Sequence, residues 1–122
     1  MTTRVLIPSG ALGLNYDQVA LDRGIAMKPD IIAIDGGSTD SGPAYLGRGV
    51  SKYSRASTKI EWRGLMEARA KTGVPLVIGT SGTCGADNAV DWMLDITREI
   101  ATDLRQSLKI AVLRCSQDTA VM

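Results

Sequence analysis

The sequence predicts an α/β domain whose mostly parallel sheet has at least four strands, in a three-layer, Rossmann-like βαβαβαβ order. Four short apolar runs alternate with helical patterns along the 122 residues. Within each run the apolar residues follow one another without alternating polar ones, which is typical of strands covered on both faces. Strands separated by helices favour right-handed crossovers and a parallel sheet. The predicted strands are residues 4–7, 31–34, 75–78 and 110–113.

Three helices are predicted between these strands. The first spans about residues 16–27 and ends before a Lys-Pro pair. The second spans residues 58–73, because Thr58 and Glu61 form a Thr-x-x-Glu capping box and a glycine follows the last turn. The third runs from about residue 87 to 108, where apolar residues recur at intervals of three and four.

The length of the chain suits one domain, so residues 1–122 are predicted to form a single α/β domain. After the fourth predicted strand, too few residues follow to cover the sheet with another helix. We therefore expect the sequence to be the N-terminal part of a longer protein.

Composition narrows the classes of function. Fourteen basic residues face thirteen acidic ones, so the net charge of +1 predicts no nucleic-acid partner. No apolar run is long enough to span a bilayer, and two cysteines form no disulfide framework, so we expect no membrane partner and a cytoplasmic location. Histidine is absent, which excludes Ser-His-Asp and Cys-His nucleophiles and histidine-containing metal sites within this chain.

Small polar residues follow the predicted strands. In a parallel sheet these positions share the carboxyl edge, where open α/β folds bind ligands. Carboxylates there can perform acid/base chemistry, and glycines allow close approach of the backbone. The predicted catalytic residues are Asp35 and Asp40; the predicted ligand-binding residues are Ser9, Gly36, Gly37, Ser38, Thr39, Tyr45, Thr80, Ser81, Gly82, Thr83 and Cys84.

The loop of residues 80–85 leads into a helix, where free N–H groups and the helix dipole favour an anion. The alternative is an ordinary turn in which serine and threonine bond to their own backbone. Cys84 is either a thiol activated by the helix start or a small packing residue. The spacing of the acidic residues does not define a metal coordination shell, so no metal site is predicted. The sequence does not indicate which cofactor, if any, the protein uses.

The connection over residues 35–57 is predicted to lack regular structure, which is uncommon in a compact domain. It is interpreted as a lid over the ligand or as a contact with a second subunit. Arg48, Lys52 and Arg55 are available there to meet negative charge.

Two blocks of the sequence resemble the N-terminal region of the acyclic terpene utilisation family and its uncharacterised relatives. They are IPSGALGLNYDQVALDRGIAMKPDIIAIDGGSTDSGPAYLGRG and VPLVIGTSGTCGADNAVDWMLDITREIA. The shared features are a run Asp-x-Gly-Ser-Thr-Asp-x-Gly-Pro-x-Tyr-Leu-Gly and a Gly/Ser-rich loop before a helix with an early tryptophan. The resemblance implies a longer protein in bacterial catabolism of small organic acids or terpenoid acyl compounds. It assigns no catalytic role to any residue. The positions that match the shared motifs are Asp35, Ser38, Thr39, Asp40, Tyr45, Ser81 and Gly82.

The preferred hypothesis is a bacterial catabolic enzyme, or its N-terminal domain, that binds a small anionic metabolite such as an acyl-CoA or a carboxylate. One alternative is a non-catalytic binding or assembly module, including a homo-oligomer. The other is a phosphate-binding, kinase-like domain, because Asp-x-Gly-Ser-Thr also resembles the phosphate-binding hairpin of sugar kinases and actin-like ATPases. That hairpin opens a domain, whereas this motif follows a strand and a helix.

Overall fold

The computed structural model describes residues 1–37, 40–118 and 120, and these form an α/β fold around a parallel sheet. The strands pair in the order β1-β2-β3, and both pairings are parallel. The α/β class is therefore confirmed. In chain order the elements are β1 (Val5–Leu6), α1 (Gln18–Ala26), β2 (Ile31–Gly37), α2 (Gly42–Arg48), α3 (Arg55–Thr72), β3 (Leu76–Thr83) and α4 (Asp87–Asp103).

The predicted fourth strand is wrong for the described chain. Residues 110–113 belong to no strand, so the described sheet has three strands and not the Rossmann-like arrangement. The residues that follow this segment contact α4. The guanidinium of Arg114 pairs with Asp91, and the N–H of Ser116 donates to Asp87 Oδ1 at 3.2 Å. A short apolar run indicates that a segment is extended and not which strand it pairs with.

The described chain forms two layers, not the three that were expected. Leu6 and Ile34 turn their side chains to the helices, whereas Val5 and Val77 are 54% and 46% exposed on the opposite face. When strands pair in chain order, right-handed crossovers put the connecting helices on one side of the sheet. The other face of the sheet is therefore open to solvent.

The start of α3 differs from the prediction because an earlier serine caps it. Ser54 Oγ accepts a hydrogen bond from the N–H of Ser57 at 3.1 Å, so the helix begins at Arg55. Thr58 and Glu61 are not the helix start but buried residues inside the helix. The predicted end is confirmed, since Gly73 adopts a left-handed φ of +71° and donates to Arg69 O.

The connection over residues 35–57 contains a helix, α2, so the prediction that it lacks regular structure is wrong. Pro43 lies in the first turn, and Gly49 ends the helix with a left-handed φ of +67°. Proline at a helix start and glycine just past its end are both favoured positions.

The hydrophobic core lies between the sheet and helices α3 and α4. Trp62 is 4% exposed and donates from Nε1 to Thr97 Oγ1 at 2.9 Å, so it is a packing residue with its polar atom satisfied. Among the described helices, none is long and apolar enough to cross a membrane. The buried cluster consists of Leu12, Leu21, Ile34, Trp62, Leu65, Met66, Met93, Ile96 and Ile100.

A cluster of charges links α3 to α4 and makes stability depend on pH. Hydrogen bonds from Lys59 and then Arg55 hold the pKa of Glu99 below its usual value of 4.5. A carboxyl group with a lowered pKa in the folded state stabilises the fold above its usual pKa and loses this contribution as the pH falls through the folded pKa. We expect the urea midpoint to fall as the pH decreases below about 4.5.

Glu99→Gln should flatten this part of the pH profile, and 1 M NaCl should weaken the effect because the pairs are exposed. The measurement is urea unfolding between pH 3 and pH 6. An unchanged slope in the variant would contradict the assignment to Glu99.

Candidate functional site

The carboxyl ends of the strands converge as the parallel sheet requires. The N–H of Leu12, in the loop after β1, donates to Asp35 O at 2.7 Å. Asp35 pairs with Gly79, and the β2–β3 register shifts before Gly37 pairs with Thr83. The loop after β1 and the ends of β2 and β3 therefore form one surface.

Asp35 ties β2 to β3 through its side chain. Its Oδ1 accepts the N–H of Gly37 at 2.9 Å and also the hydroxyl of Thr80, while the residue itself is half-buried. The hydroxyl bond crosses between the strand ends, so it fixes where the carboxylate lies relative to the loop of residues 80–85.

Two threonines adopt backbone conformations that β-branched residues rarely take, and both lie in the last residues of β3, which runs to Thr83 through most of the segment predicted as a loop. Thr80 has a φ of +44° and Thr83 a φ of +84°, and the glycines Gly82 and Gly85 are also left-handed. Strained residues of this kind persist where the surrounding structure fixes them and cluster at functional sites. The strained backbone therefore makes the end of β3 a candidate functional site.

Residues Ser51 and Lys52, in the segment after α2, contact the side chain of Thr83. Its hydroxyl oxygen accepts the N–H of Lys52 at 2.9 Å and lies 3.2 Å from Ser51 Oγ. Lys52 also donates from Nζ to Ser41 Oγ at 3.3 Å. The expected lid residue Lys52 thus lies over the carboxyl edge of the sheet.

Gly36 and Gly37 are buried against β3 and do not open towards solvent. A Cβ on Gly37 would lie 2.0 Å from Thr83 O, and one on Gly36 would lie 2.7 Å from Gly79 O. The close backbone approach expected of these glycines is thus to the neighbouring strand.

The remaining predicted site residues are spread around this edge. Asp40 is exposed, and within the described residues no hydrogen bond joins it to Asp35 or Thr80. Tyr45 is half-buried on α2, with the Arg48 guanidinium 5.6 Å from its ring centre. Ser81 and Gly82 are buried, Cys84 and Ser9 are half-buried, and Ser38 and Thr39 lie outside the described residues.

Glu61 is the supporting residue that the sequence did not reveal. This carboxylate is 9% exposed and accepts the N–H of Gly13 at 2.6 Å and that of Asn15 at 3.2 Å, so it holds the loop after β1. Tyr16 donates its hydroxyl to Glu61 O, and burial, followed by the charge of Glu61, raises the pKa of Tyr16. The signal in the sequence is a glutamate on the apolar face of α3, beside Trp62.

In the part of the chain that the structure describes, no group of three or more His, Cys, Asp or Glu side chains is placed to hold a metal ion. In comparisons with known proteins, no family model, curated protein or solved structure matches this chain. The candidate site therefore rests on its own geometry.

Proposed function

We propose that this domain binds a small anionic metabolite, of the acyl-CoA or carboxylate class, at the carboxyl edge of its sheet. The observation that carries the proposal is the junction of Asp35 with Thr80 beside Thr83, where two threonines are kept in left-handed backbone. Ordinary turn chemistry does not require a β-branched residue at such a φ.

The polar groups around this junction suit an anion. The loop precedes the N-terminus of α4, where the helix dipole contributes about 0.3–1 kcal/mol towards a negative charge. The N–H of Asp87 is already bonded to Ser116 Oγ at 3.0 Å, so the dipole alone is a weak source of affinity. The ammonium group of Lys52 and the hydroxyl of Ser81 are the proposed donors.

The catalytic part of the proposal assigns Asp35 as the acid/base group. Its position is fixed by two hydrogen bonds, as a proton-transfer group requires. Asp40, which is exposed, is proposed to contact the ligand from the solvent side. The resemblance of residues 35–47 to the acyclic terpene utilisation family supports a role in bacterial catabolism.

A ligand panel tests this function by thermal unfolding. We expect a CoA ester or a small carboxylate, at about a hundred times its Kd, to stabilise the chain by about 2.7 kcal/mol, a shift of several degrees. Lys52→Met and Ser81→Ala should reduce the shift, whereas Asp35→Asn, which removes a negative charge, should not weaken binding, and the control Ser107→Ala, an exposed position beyond α4, should keep the shift. A shift with Mg-ATP alone would favour the kinase-like alternative, and no shift with any compound would contradict the proposal.

The open face of the sheet favours a second candidate function, an assembly module. Val5, Ile7 and Val77 expose between 46% and 64% of their surface there, and parallel sheets normally have both faces covered. A mass that rises with concentration in sedimentation experiments, without any response to ligands, would support this alternative.

A further inference from the structure

A cleft of about 920 Å³ lies between the outer edge of β3 and the segment that follows α4. Its floor is apolar and is built from core side chains of α3 and α4, including Trp62, Met66 and Met93. Residues 108–113 form the wall opposite β3.

Both walls of the cleft present backbone without a partner. Ile32 donates its N–H to Pro75 O at 3.0 Å, so alternation turns the N–H and C=O groups of Leu76 and Ile78 away from β2 and towards the cleft. Opposite them, residues 109–113 belong to no strand, and no backbone hydrogen bond between the two walls occurs in the described chain.

The outer wall is anchored at both ends, so it does not simply collapse onto β3. At its start the N–H of Gln106 donates to Ala101 O at 2.8 Å, and Leu108 packs against the core. At its end Arg114 and Ser116 are held by the first turns of α4. The outer edge of β3 and the segment that follows α4 thus face each other across an apolar floor.

The polar groups of the cleft indicate what would occupy it. Among the described lining residues, the charged side chains are Arg69 and Lys109, both cationic. The lining therefore favours an occupant that is apolar and carries a negative charge near these two cations.

We propose that this cleft binds an extended peptide strand of a partner protein, with apolar side chains and an acidic residue at the Arg69 end. Such a strand would pair with the outward groups of Leu76 and Ile78 on one side and with residues 109–113 on the other. It would place its acid near the cationic side chains of Arg69 and Lys109. The cleft reaches Thr80 and Ser81 at one end, so the strand-binding site adjoins the proposed anion site and is distinguished from it by its contacts with Leu76 and Ile78.

Amide hydrogen exchange of the ¹⁵N-labelled chain tests the proposal. The probes are two capped six-residue peptides of alternating valine and threonine, one beginning and one ending with glutamate, to allow either strand direction. We expect one of them to slow exchange of the Leu76 and Ile78 amides at least tenfold. The amide of Val5, on the opposite edge of the sheet, should not change, and neither should the exchange pattern with a peptide carrying a central proline.

Charge reversal supplies the matched variants. The double variant Arg69→Glu and Lys109→Glu should bind peptides with lysine in place of glutamate, whereas the control Lys71→Glu and Arg98→Glu, at exposed positions outside the cleft, should keep the glutamate preference. Protection of Leu76 and Ile78 without any peptide would mean that residues 109–113 close the cleft themselves and would overturn the proposal. So would a lack of protection by both glutamate peptides, equal protection by the proline peptide, or an unchanged charge preference.

Discussion

Gly37→Ala is expected to lower the free energy of unfolding by about 3 kcal/mol, because overpacking at this position has no soft neighbour to displace. The added Cβ would lie 2.0 Å from Thr83 O and 2.5 Å from Thr83 C, and both are backbone atoms of the paired strand. To make room, β2 and β3 must separate where Asp35 meets Thr80. Urea unfolding followed by circular dichroism measures the change.

Gly47→Ala is the matched control for this substitution. A Cβ at Gly47 meets nothing within 4 Å, and the residue lies inside α2, where alanine is favoured over glycine by roughly 0.5–1 kcal/mol. The control should therefore be neutral or stabilising. If Gly37→Ala were as stable as Gly47→Ala, the close contact between β2 and β3 would be wrong.

The same substitution separates stability from ligand binding at the carboxyl edge. Lys52→Met removes the proposed cationic donor but keeps the backbone N–H bond to Thr83, so it should weaken anion binding more than it lowers stability. Gly37→Ala should impair both, because it moves the strand end that carries Asp35. Comparing the two variants in the thermal ligand panel therefore shows whether a lost response reflects chemistry or a displaced strand.

Local patterns in the sequence predicted the parts of the fold that depend on local physics. The continuous apolar runs located β1, β2 and β3, and Gly73 marked the end of α3. The signals for α2 were also present, since Pro43 and Gly49 are a helix start and stop, but the polar run before them suggested a loop. The prediction that Thr58 caps α3 is wrong because Ser54, whose hydroxyl accepts the N–H of Ser57, precedes the first turn.

Among the features that depend on distant residues, the sequence predicted only those that follow from parallel strand pairing. The carboxyl-edge rule placed Asp35 near Thr80, although the two are 45 positions apart, because parallel pairing fixes where strands end. No comparable rule predicts that residues 110–113 stay unpaired, or that the hydroxyl of Thr83 is held by Lys52. These contacts depend on how whole elements pack.

Glu61→Ala is expected to destabilise the chain by about 2 kcal/mol, because it removes the acceptor of two N–H groups, one on a half-buried and one on an exposed residue, and a fully buried N–H without an acceptor costs about 1–3 kcal/mol. The two N–H groups are those of Gly13 and Asn15, and both lie in the loop that bonds to Asp35 through Leu12. In a domain of this size the melting temperature should fall by roughly 10 °C. The control is Glu67→Gln, since Glu67 is part of an exposed pair with Arg63 and should matter little.

Glu61→Gln separates the charge of this residue from its shape. The amide keeps an acceptor oxygen for one N–H, so its loss of stability should be smaller than that of the alanine variant. Burial is the larger cause of the raised pKa of Tyr16 and the charge of Glu61 the next, so removing the charge should lower that pKa without restoring its usual value. An ultraviolet titration of the tyrosines, with Tyr16→Phe to assign the signal, measures the change. The carboxylate of Glu61 accepts the N–H of Gly13 and raises the pKa of Tyr16 by its charge, so an unchanged titration together with unchanged stability would contradict the role of Glu61 in positioning the loop after β1.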